Sequence, residues 1–240
     1  MNINSPSYTF PGVNFEALKF KTCNDIKLPE KFSIDLSAGI NNVDCFVSSV
    51  ANKDDVEFKV VDKNFKELGH SCFSRDKNDI QVISINNFSN LKGIGSILHL
   101  SRIITMLENN FDKIRLYSLG NAMTFHSKFM FKSDVNNRGE LVDFIVQEII
   151  LKTKNNEKFA SIIESAKQWF TKNNVTNNEK IAEGNLIIDD YLKVVNQQKN
   201  DECPDIISGV DMVLSRETVL QYKKYFNNLL SRYGIDYQIV

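Results

Sequence analysis

Hydrophobic and polar residues alternate along four consecutive segments in the first half of the chain. These segments are rich in β-branched and aromatic residues, which favour strands, and they span Val43–Val50, Val56–Val61, Leu68–Phe73 and Ile80–Ile85. The polar segments between them are short and rich in Asp, Asn and Lys, as hairpin turns are. The pattern predicts a meander of antiparallel strands. An irregular arm precedes it over residues 1 to 30, with at most one short helix near Phe15–Phe20.

A helical period replaces the alternation after residue 90. Apolar residues recur at helical spacing over residues 94 to 111, which predicts a helix that begins in a glycine loop and ends near Asn109. The next segments predict a half-buried strand over Lys113–Leu119, a short helix over Ala122–Lys128 and a short strand over Phe129–Phe131. Strands and helices in this order indicate an α/β layer joined to the meander.

The pattern of hydrophobic and polar residues changes again beyond Ser133. Leu141–Leu151 is an apolar segment that fits either a helix or a strand, and Lys158–Thr171 predicts an amphipathic helix. Thr176 and Glu179 have the spacing of a capping box ahead of a further helix. A last helix is predicted over residues 215 to 233, before Gly234. We therefore expect two domains, residues 1–135 and a mostly helical region over residues 136–240.

Composition and charge exclude several classes of protein. Of the 240 residues, 42% are hydrophobic and 25% are charged, which is typical of a folded globular chain. With 29 Lys and Arg against 30 Asp and Glu, no basic field attracts nucleic acid. The four cysteines form no CxxC pair, so neither a zinc ribbon nor a disulfide framework is indicated. We expect reduced thiols, no membrane association and a cytoplasmic protein; leaderless export to a host cell stays open.

The loop Asn90–Ser96 is the most informative segment for chemistry. It lies between a predicted strand and a predicted helix, and it contains Gly93 and Gly95. Free amides at a helix start attract anions, and glycines let the backbone approach a phosphate closely. The ATP-binding pattern GxxxxGK is absent, and Leu98 stands where a dinucleotide loop needs its third glycine. Two interpretations remain: a different phosphate loop, or a turn that packs the helix tightly on the sheet.

Two motifs together resemble those of GNAT-type N-acyltransferases. The loop resembles the acyl-CoA pyrophosphate loop of that family, Gln or Arg followed by x-x-G-x-G or Ala, with Asn90 in the first place. Residues 122–131 resemble the family pattern Ala-x-x-Phe-Tyr-x-Lys-x-Gly-Phe, with His126 in place of Tyr and Met130 in place of Gly. The resemblance implies a mixed α/β (α+β) fold, a mostly antiparallel sheet with flanking helices, followed here by the mainly helical C-terminal region.

The resemblance also implies a site. The pantetheine arm of acetyl-CoA or another acyl-CoA would pair with the strand edge at Val82–Ile85, and the phosphates would lie on the amides of Lys92–Ser96. The residues implied to bind the cofactor are therefore Val82, Ile83, Ile85, Lys92, Gly93, Ile94, Gly95 and Ser96. His126 would donate a proton to the leaving thiolate, as an imidazolium, with Tyr117 or Tyr8 as alternatives. The base stays open among Asp79, Glu67, Glu57 and a water chain.

Two functions follow from this resemblance, and a third, a helical adaptor with a structural loop that binds no CoA, stays open beside them. The first is an enzyme that transfers an acyl group from acyl-CoA to an amine of a small molecule or protein. The second is a diverged protein that keeps the fold, and the cofactor with it, but only binds. In either case the helical region is a candidate lid, substrate-selecting domain, partner surface or self-association surface. His99 and His70 are predicted to be structural, and Trp169 is predicted to be a packing residue.

Overall fold

The computed structural model describes residues 18–35, 44–51, 55–135, 139–172, 176–197 and 206–240. Within them, strands β3 to β10 form one eight-stranded sheet in the order β3-β4-β5-β6-β7-β8-β10-β9, and β1 and β2 form a separate hairpin. The strands are β1 (Phe20–Cys23), β2 (Ile26–Pro29), β3 (Lys31–Asp35), β4 (Asp44–Ala51), β5 (Asp55–Val61), β6 (Glu67–Asp76), β7 (Asp79–Asn87), β8 (Lys113–Ser118), β9 (Lys132–Ser133) and β10 (Val210–Ser215).

The predicted meander is present as β4 to β7, in which each strand pairs antiparallel with the next. All other pairs in the eight-stranded sheet are antiparallel as well, except β7 with β8, which run parallel. The parallel pair is joined by a helix, as parallel strands require. The fold class predicted from the sequence, a mixed α/β protein with a mostly antiparallel sheet and flanking helices, is therefore confirmed.

Seven α-helices flank the sheet among the described residues. They are α1 (Ile94–Glu108), α2 (Met123–Ser127), α3 (Gly139–Thr153), α4 (Ala160–Thr171), α5 (Asn177–Gln197), α6 (Arg216–Gln221) and α7 (Lys223–Arg232). The capping box at α5 is confirmed, because the Glu179 carboxylate accepts from the Thr176 amide and the Thr176 hydroxyl accepts from the Glu179 amide. Helix α1 begins in the glycine loop, as predicted, and covers one face of the sheet.

Some local predictions were wrong, and one that the sequence left open is decided by the structure. Phe129 and Met130 lie in a turn, and the short strand is β9, which begins at Lys132. Phe20 belongs to β1 and not to a helix, while residues 1–17 and Tyr8 with them lie outside the described residues. The ambiguous segment Leu141–Leu151 is part of helix α3.

The region after residue 135 is mainly helical, but it also contributes to the sheet. Its strand β10 lies between β8 and β9 and pairs antiparallel with both. In β10, the buried residues Val210, Met212 and Leu214 alternate with less buried ones, as in a half-buried strand. The strand has only six residues. The division into residues 1–135 and 136–240 stays a prediction. What the structure adds is that the sheet includes residues from both sides of that division.

Polar contacts hold helix α5 against the sheet. The Asn185 side chain accepts from the Ser133 hydroxyl and donates to the Val135 carbonyl, and the Asp189 carboxylate accepts from the Ser133 amide at 2.7 Å. Trp169 is buried and donates to the Lys180 carbonyl, so the predicted packing role of Trp169 is confirmed. These contacts specify where the helical region lies, because each buried polar group needs its partner.

Candidate functional site

The parallel strands β7 and β8 separate after a short paired stretch. Asp79, Ile80 and Gln81 pair with Lys113, Ile114 and Arg115, but both strands continue further without pairing to one another. The opposite edge of β7 stays paired with β6 as far as Asn87. The backbone of β7 from residue 82 onward therefore faces β8 without a ladder of hydrogen bonds. This open edge includes the predicted segment Val82–Ile85.

A bulge in β7 lies at the start of the open edge. Ser84 pairs with Cys72 and Val82 pairs with Phe73, so Ile83 has no partner in the ladder. An extra residue of this kind bends its strand and increases the local twist. The Ile83 side chain is 57% exposed. The bulge gives a local cause for the divergence of β7 from β8.

The loop after β7 is shaped by its own side chains and by a left-handed glycine. The side-chain Oδ1 of Asn87 accepts from the Ser89 amide and hydroxyl, and the Ser89 hydroxyl accepts from the Leu91 amide. Gly93 has φ 103°, a conformation that side chains rarely adopt, and it caps the start of α1. The amides of the first turn of α1 point out of the helix without intrahelical acceptors, as at every helix start.

Gly95 has a packing role. A Cβ atom at this position would lie 2.9 Å from Cζ of Phe125, which is too close. The absence of a side chain at Gly95 thus lets α2 approach the first turn of α1. Both interpretations of the loop therefore have support: Gly93 shapes the backbone that presents the amides, and Gly95 allows the close approach of Phe125.

A groove of about 650 Å³ runs along the glycine loop and the end of the open edge. Ile85, Lys92, Gly93, Gly95 and Ser96 line this groove, so the structure brings these predicted residues together. The other predicted residues do not line it. Val82 and Ile94 are buried in the core, and Ile83 is exposed at the bulge.

The C-terminal helix α7 and the residues after it form part of the same groove, which the sequence did not indicate. Tyr225, Leu229, Arg232 and Tyr233 line it together with Phe125, Lys128 and Phe129. The Tyr225 hydroxyl donates to the Lys128 carbonyl at 2.6 Å, which joins α7 to the end of α2. Phe125 and Lys128 belong to the second motif, but no local signal near residue 225 marks a ligand site.

A buried chain of polar side chains lies between α1 and the sheet. Arg102 and His99 are fully buried on α1, and His126 on α2 is 6% exposed. The Arg102 guanidinium donates to the Ser71 hydroxyl and to Nδ1 of His99, the latter at 2.8 Å. Nε2 of His99 lies 2.8 Å from Nδ1 of His126. Among the described residues, no carboxylate forms an ion pair with Arg102, and its Nε has no hydrogen-bond partner.

The direction of these hydrogen bonds determines the tautomers. A guanidinium only donates, so Nδ1 of His99 accepts and its proton lies on Nε2. That proton is donated to Nδ1 of His126, whose own proton must then lie on Nε2. Burial, with Arg102 nearby, lowers the pKa of His99 well below its usual value and that of His126 to about 3. Burial lowers the pKa of Arg102 only to about 9, so near pH 7 the arginine is charged and both histidines are neutral.

This environment changes the interpretation of His126. The sequence hypothesis required its imidazolium form as the acid, and burial disfavours that form near neutral pH. His99 is buried and structural, as expected from the sequence. Of the alternative acids, Tyr117 is half exposed. Its hydroxyl packs against Gly209, where an added Cβ atom would lie only 2.3 Å from the hydroxyl oxygen.

The candidate bases lie on or beside the opposite face of the sheet. Glu67 accepts from His70 Nδ1 at 2.9 Å, and Nε2 of His70 lies 3.1 Å from the Asn86 amide nitrogen. The Lys59 ammonium lies 3.6 Å from the carboxylates of both Glu57 and Glu67. Asp79 is held at the start of β7 by Arg115, which also binds Asp134. The side chains of Glu57, Glu67 and Asp79 thus all have structural partners.

Solved structures of acetyltransferases resemble the chain at a low level. A GNAT-family acetyltransferase from Staphylococcus aureus has 22% identity over 34% of this chain, with a TM-score of 0.31, and the match spans 56% of that protein. GCN5 from Tetrahymena has 12% identity over 70% of this chain and 71% of its own, with a TM-score of 0.36. A Bacillus subtilis acetyltransferase in complex with CoA has 11% identity over 72% of this chain and 76% of its own, with a TM-score of 0.31. No family model and no curated protein sequence matches the chain.

Within the described ranges, no helix combines the length and the apolar composition that crossing a bilayer requires. The longest described helix, α5, carries charged residues along its length.

Proposed function

We propose that the groove binds acetyl-CoA or another acyl-CoA, and that the protein transfers the acyl group to an amine-bearing acceptor. The observation that carries this proposal is a juxtaposition. The open edge of β7, the amides at the start of α1 and the second motif on α2 lie around one groove. The two sequence motifs that resemble the acyltransferase family are thus neighbours in space as well.

The residues around the groove fit the chemistry of the ligand. A diphosphate needs amide donors and positive charge, which the first turn of α1 and Lys92 supply. A pantetheine arm carries amides that can pair with a free strand edge, and β7 has such an edge beyond Gln81. Ile85, Phe125 and Phe129 add apolar surface. When an acyl-CoA is bound, the reaction is direct attack of a neutral amine on the thioester carbon, with release of the CoA thiolate.

The catalytic assignment of His126 stays a proposal with a changed chemical role. Its ring is neutral near pH 7, with the proton on Nε2. We therefore propose a neutral N–H donor in place of an imidazolium acid, at a residue that adjoins the groove-lining Phe125 in the chain but does not itself line the groove. Neutral imidazole can polarise a carbonyl, but it is a much weaker acid than imidazolium. The base remains unassigned, because Glu57, Glu67 and Asp79 all have structural partners.

The state of His126 also favours a second candidate function. A protein that binds acyl-CoA without turnover needs the glycine loop and the open edge but no acid. The buried, neutral histidine at the position where the family has Tyr agrees with that function. In this case the helical region would bind a protein partner or a second copy of the chain. A nucleic-acid ligand is not proposed, since the net charge is −1.

Calorimetric titration of the full chain with acetyl-CoA and CoA tests binding, with Ser96→Asp as the decisive variant. Ser96 lies in the first turn of α1, where a carboxylate stabilises the helix but repels a phosphate. We expect micromolar binding by the wild type and a loss of about tenfold or more in Ser96→Asp. The control is Ser96→Asn, because asparagine has the shape of aspartate without its charge. This variant should bind with an affinity within about threefold of that of the wild type. Absence of wild-type binding would exclude the proposal.

A turnover assay separates the two candidate functions. The assay follows CoA release from acetyl-CoA. The acceptors are a panel of small amines, peptides that contain lysine, and peptides with a free N-terminal amine. Amine-dependent release that His126→Ala slows, while acetyl-CoA affinity stays the same, supports the enzyme. Binding without amine-dependent release across the panel supports the binding protein.

A further inference from the structure

Three cations surround the groove without partners of their own. The side chains of Lys92, Lys128 and Arg232 all line it. None of them forms a hydrogen bond or an ion pair with another described residue. Unpaired cations at one groove attract an anion of more than one charge.

These cations come from different elements. Lys92 belongs to the glycine loop, Lys128 follows α2, and Arg232 is the last residue of α7. The hydrogen bond from the Tyr225 hydroxyl to the Lys128 carbonyl joins the second element to the third. Lys128 and Arg232 are therefore held at the same groove independently of the loop that carries the amides.

The charges exceed what one diphosphate needs. The helix start contributes roughly half an elementary charge, and Lys92 lies beside it, which suits a diphosphate. Lys128 and Arg232 remain, and together they complement a phosphomonoester, which carries about −1.5 to −2 charges at neutral pH. Arg232 adds a planar fork of donors that suits phosphate oxygens.

We propose that Lys128 and Arg232 form a second anion subsite that binds a phosphomonoester, separate from the diphosphate at the glycine loop. The groove therefore selects nucleotides that carry both groups. For the ligand of the proposed function, on which this inference rests, the phosphomonoester is the 3′-phosphate of CoA. The C-terminal helix α7 then determines which cofactor binds.

Titration with CoA and with 3′-dephospho-CoA tests the subsite, because the two ligands differ only in that phosphate. We expect the full wild-type chain to bind CoA about tenfold more tightly than dephospho-CoA. Arg232→Gln should weaken CoA binding about fivefold to tenfold and dephospho-CoA binding by less than about twofold. Lys224→Gln is the matched control, since Lys224 is exposed on the same helix but does not line the groove.

The outcomes separate this inference from the proposed function. Equal binding of CoA and dephospho-CoA by the wild type overturns the subsite while the acyl-CoA groove stands. Equal weakening of both ligands by Arg232→Gln also overturns it, because Arg232 would then not distinguish the 3′-phosphate. Binding of neither ligand by the wild type overturns the proposed function and the inference with it. Arg232 is exposed, so Arg232→Gln is expected to fold, and circular dichroism checks this.

Discussion

The two faces of the central sheet each hold a histidine with polar partners, and they differ in access to water. On the face covered by α1, His99 is fully buried between Arg102 and His126. On the other face, His70 contacts Glu67 and Asn86, and its side chain is 30% exposed. The buried side chains Arg102, His99 and His126, here called the covered chain, include a cation but no carboxylate partner among the described residues. The open cluster on the other face has carboxylates and an ammonium at the surface, and it consists of His70, Asn86, Glu57, Glu67 and Lys59.

The comparison shows that solvation, more than residue type, determines the properties of each histidine. Burial beside a cation keeps His99 and His126 neutral, and their hydrogen bonds fix one tautomer for each. A buried hydrogen bond cannot be replaced by water when it is lost, so each member of the covered chain depends on the next. The open cluster exchanges a lost contact for water. Equivalent substitutions on the two faces should therefore have very different effects.

The largest expected effect is that of His99→Phe on the covered face. A Phe ring can keep the contacts of His99 with Phe125, Phe129 and Phe131. It leaves Nη2 of Arg102 and Nδ1 of His126 without the hydrogen bonds that His99 makes. We expect a loss of about 3 kcal/mol in the free energy of unfolding. His70→Phe, the matched change on the open face, should cost less than about 1 kcal/mol. Urea unfolding measures both, and equal losses would contradict the contrast.

The next effect is a dependence of stability on pH. The pKa of His126 is about 3 in the folded state and near 6.5 when unfolded, so the unfolded chain binds more protons between these values. The contribution of His126 is fully present above pH 6.5 and decreases as the pH falls towards 3, by about 1.4 kcal/mol per pH unit. His99 acts in the same direction.

Asp189 acts in the opposite direction. Burial raises its pKa from 3.8 to about 6, so its contribution increases as the pH falls through 6. Two histidines against one aspartate leave a net loss of stability on acidification. Urea midpoints between pH 7 and pH 5 should therefore decline for the wild type, less steeply for His126→Asn and more steeply for Asp189→Asn. An unchanged slope in His126→Asn would show that His126 is not held neutral.

The smallest expected effect concerns Lys59 on the open face. Its ammonium lies 3.6 Å from two partly exposed carboxylates, so Lys59→Gln should change the free energy of unfolding by less than about 0.5 kcal/mol. The small effect should vanish at high salt, because exposed charges are screened. A loss above 1 kcal/mol in urea unfolding at high salt would indicate that the open cluster is more desolvated than its exposure indicates.

Local pattern was enough to predict most of the sheet and the glycine loop. The strands β4 to β8 alternate hydrophobic and polar residues, and the turns between them carry the usual polar residues, so each element can be predicted from its own sequence. Gly93 likewise has φ 103°, a left-handed conformation that glycine adopts without strain. The strand β10 was missed because its six residues lie in a region whose flanking segments are helical.

What only the tertiary structure decided is which of these elements meet. The sequence by itself determined the loop, the helix that follows it and the alternation of β7. It could not place Arg232 at the groove, nor the chain from Arg102 through His99 to His126, because those contacts join residues far apart or depend on burial. A side chain's charge state follows from the water it loses on folding, and that loss is set by packing between elements and not by neighbouring residues in the chain.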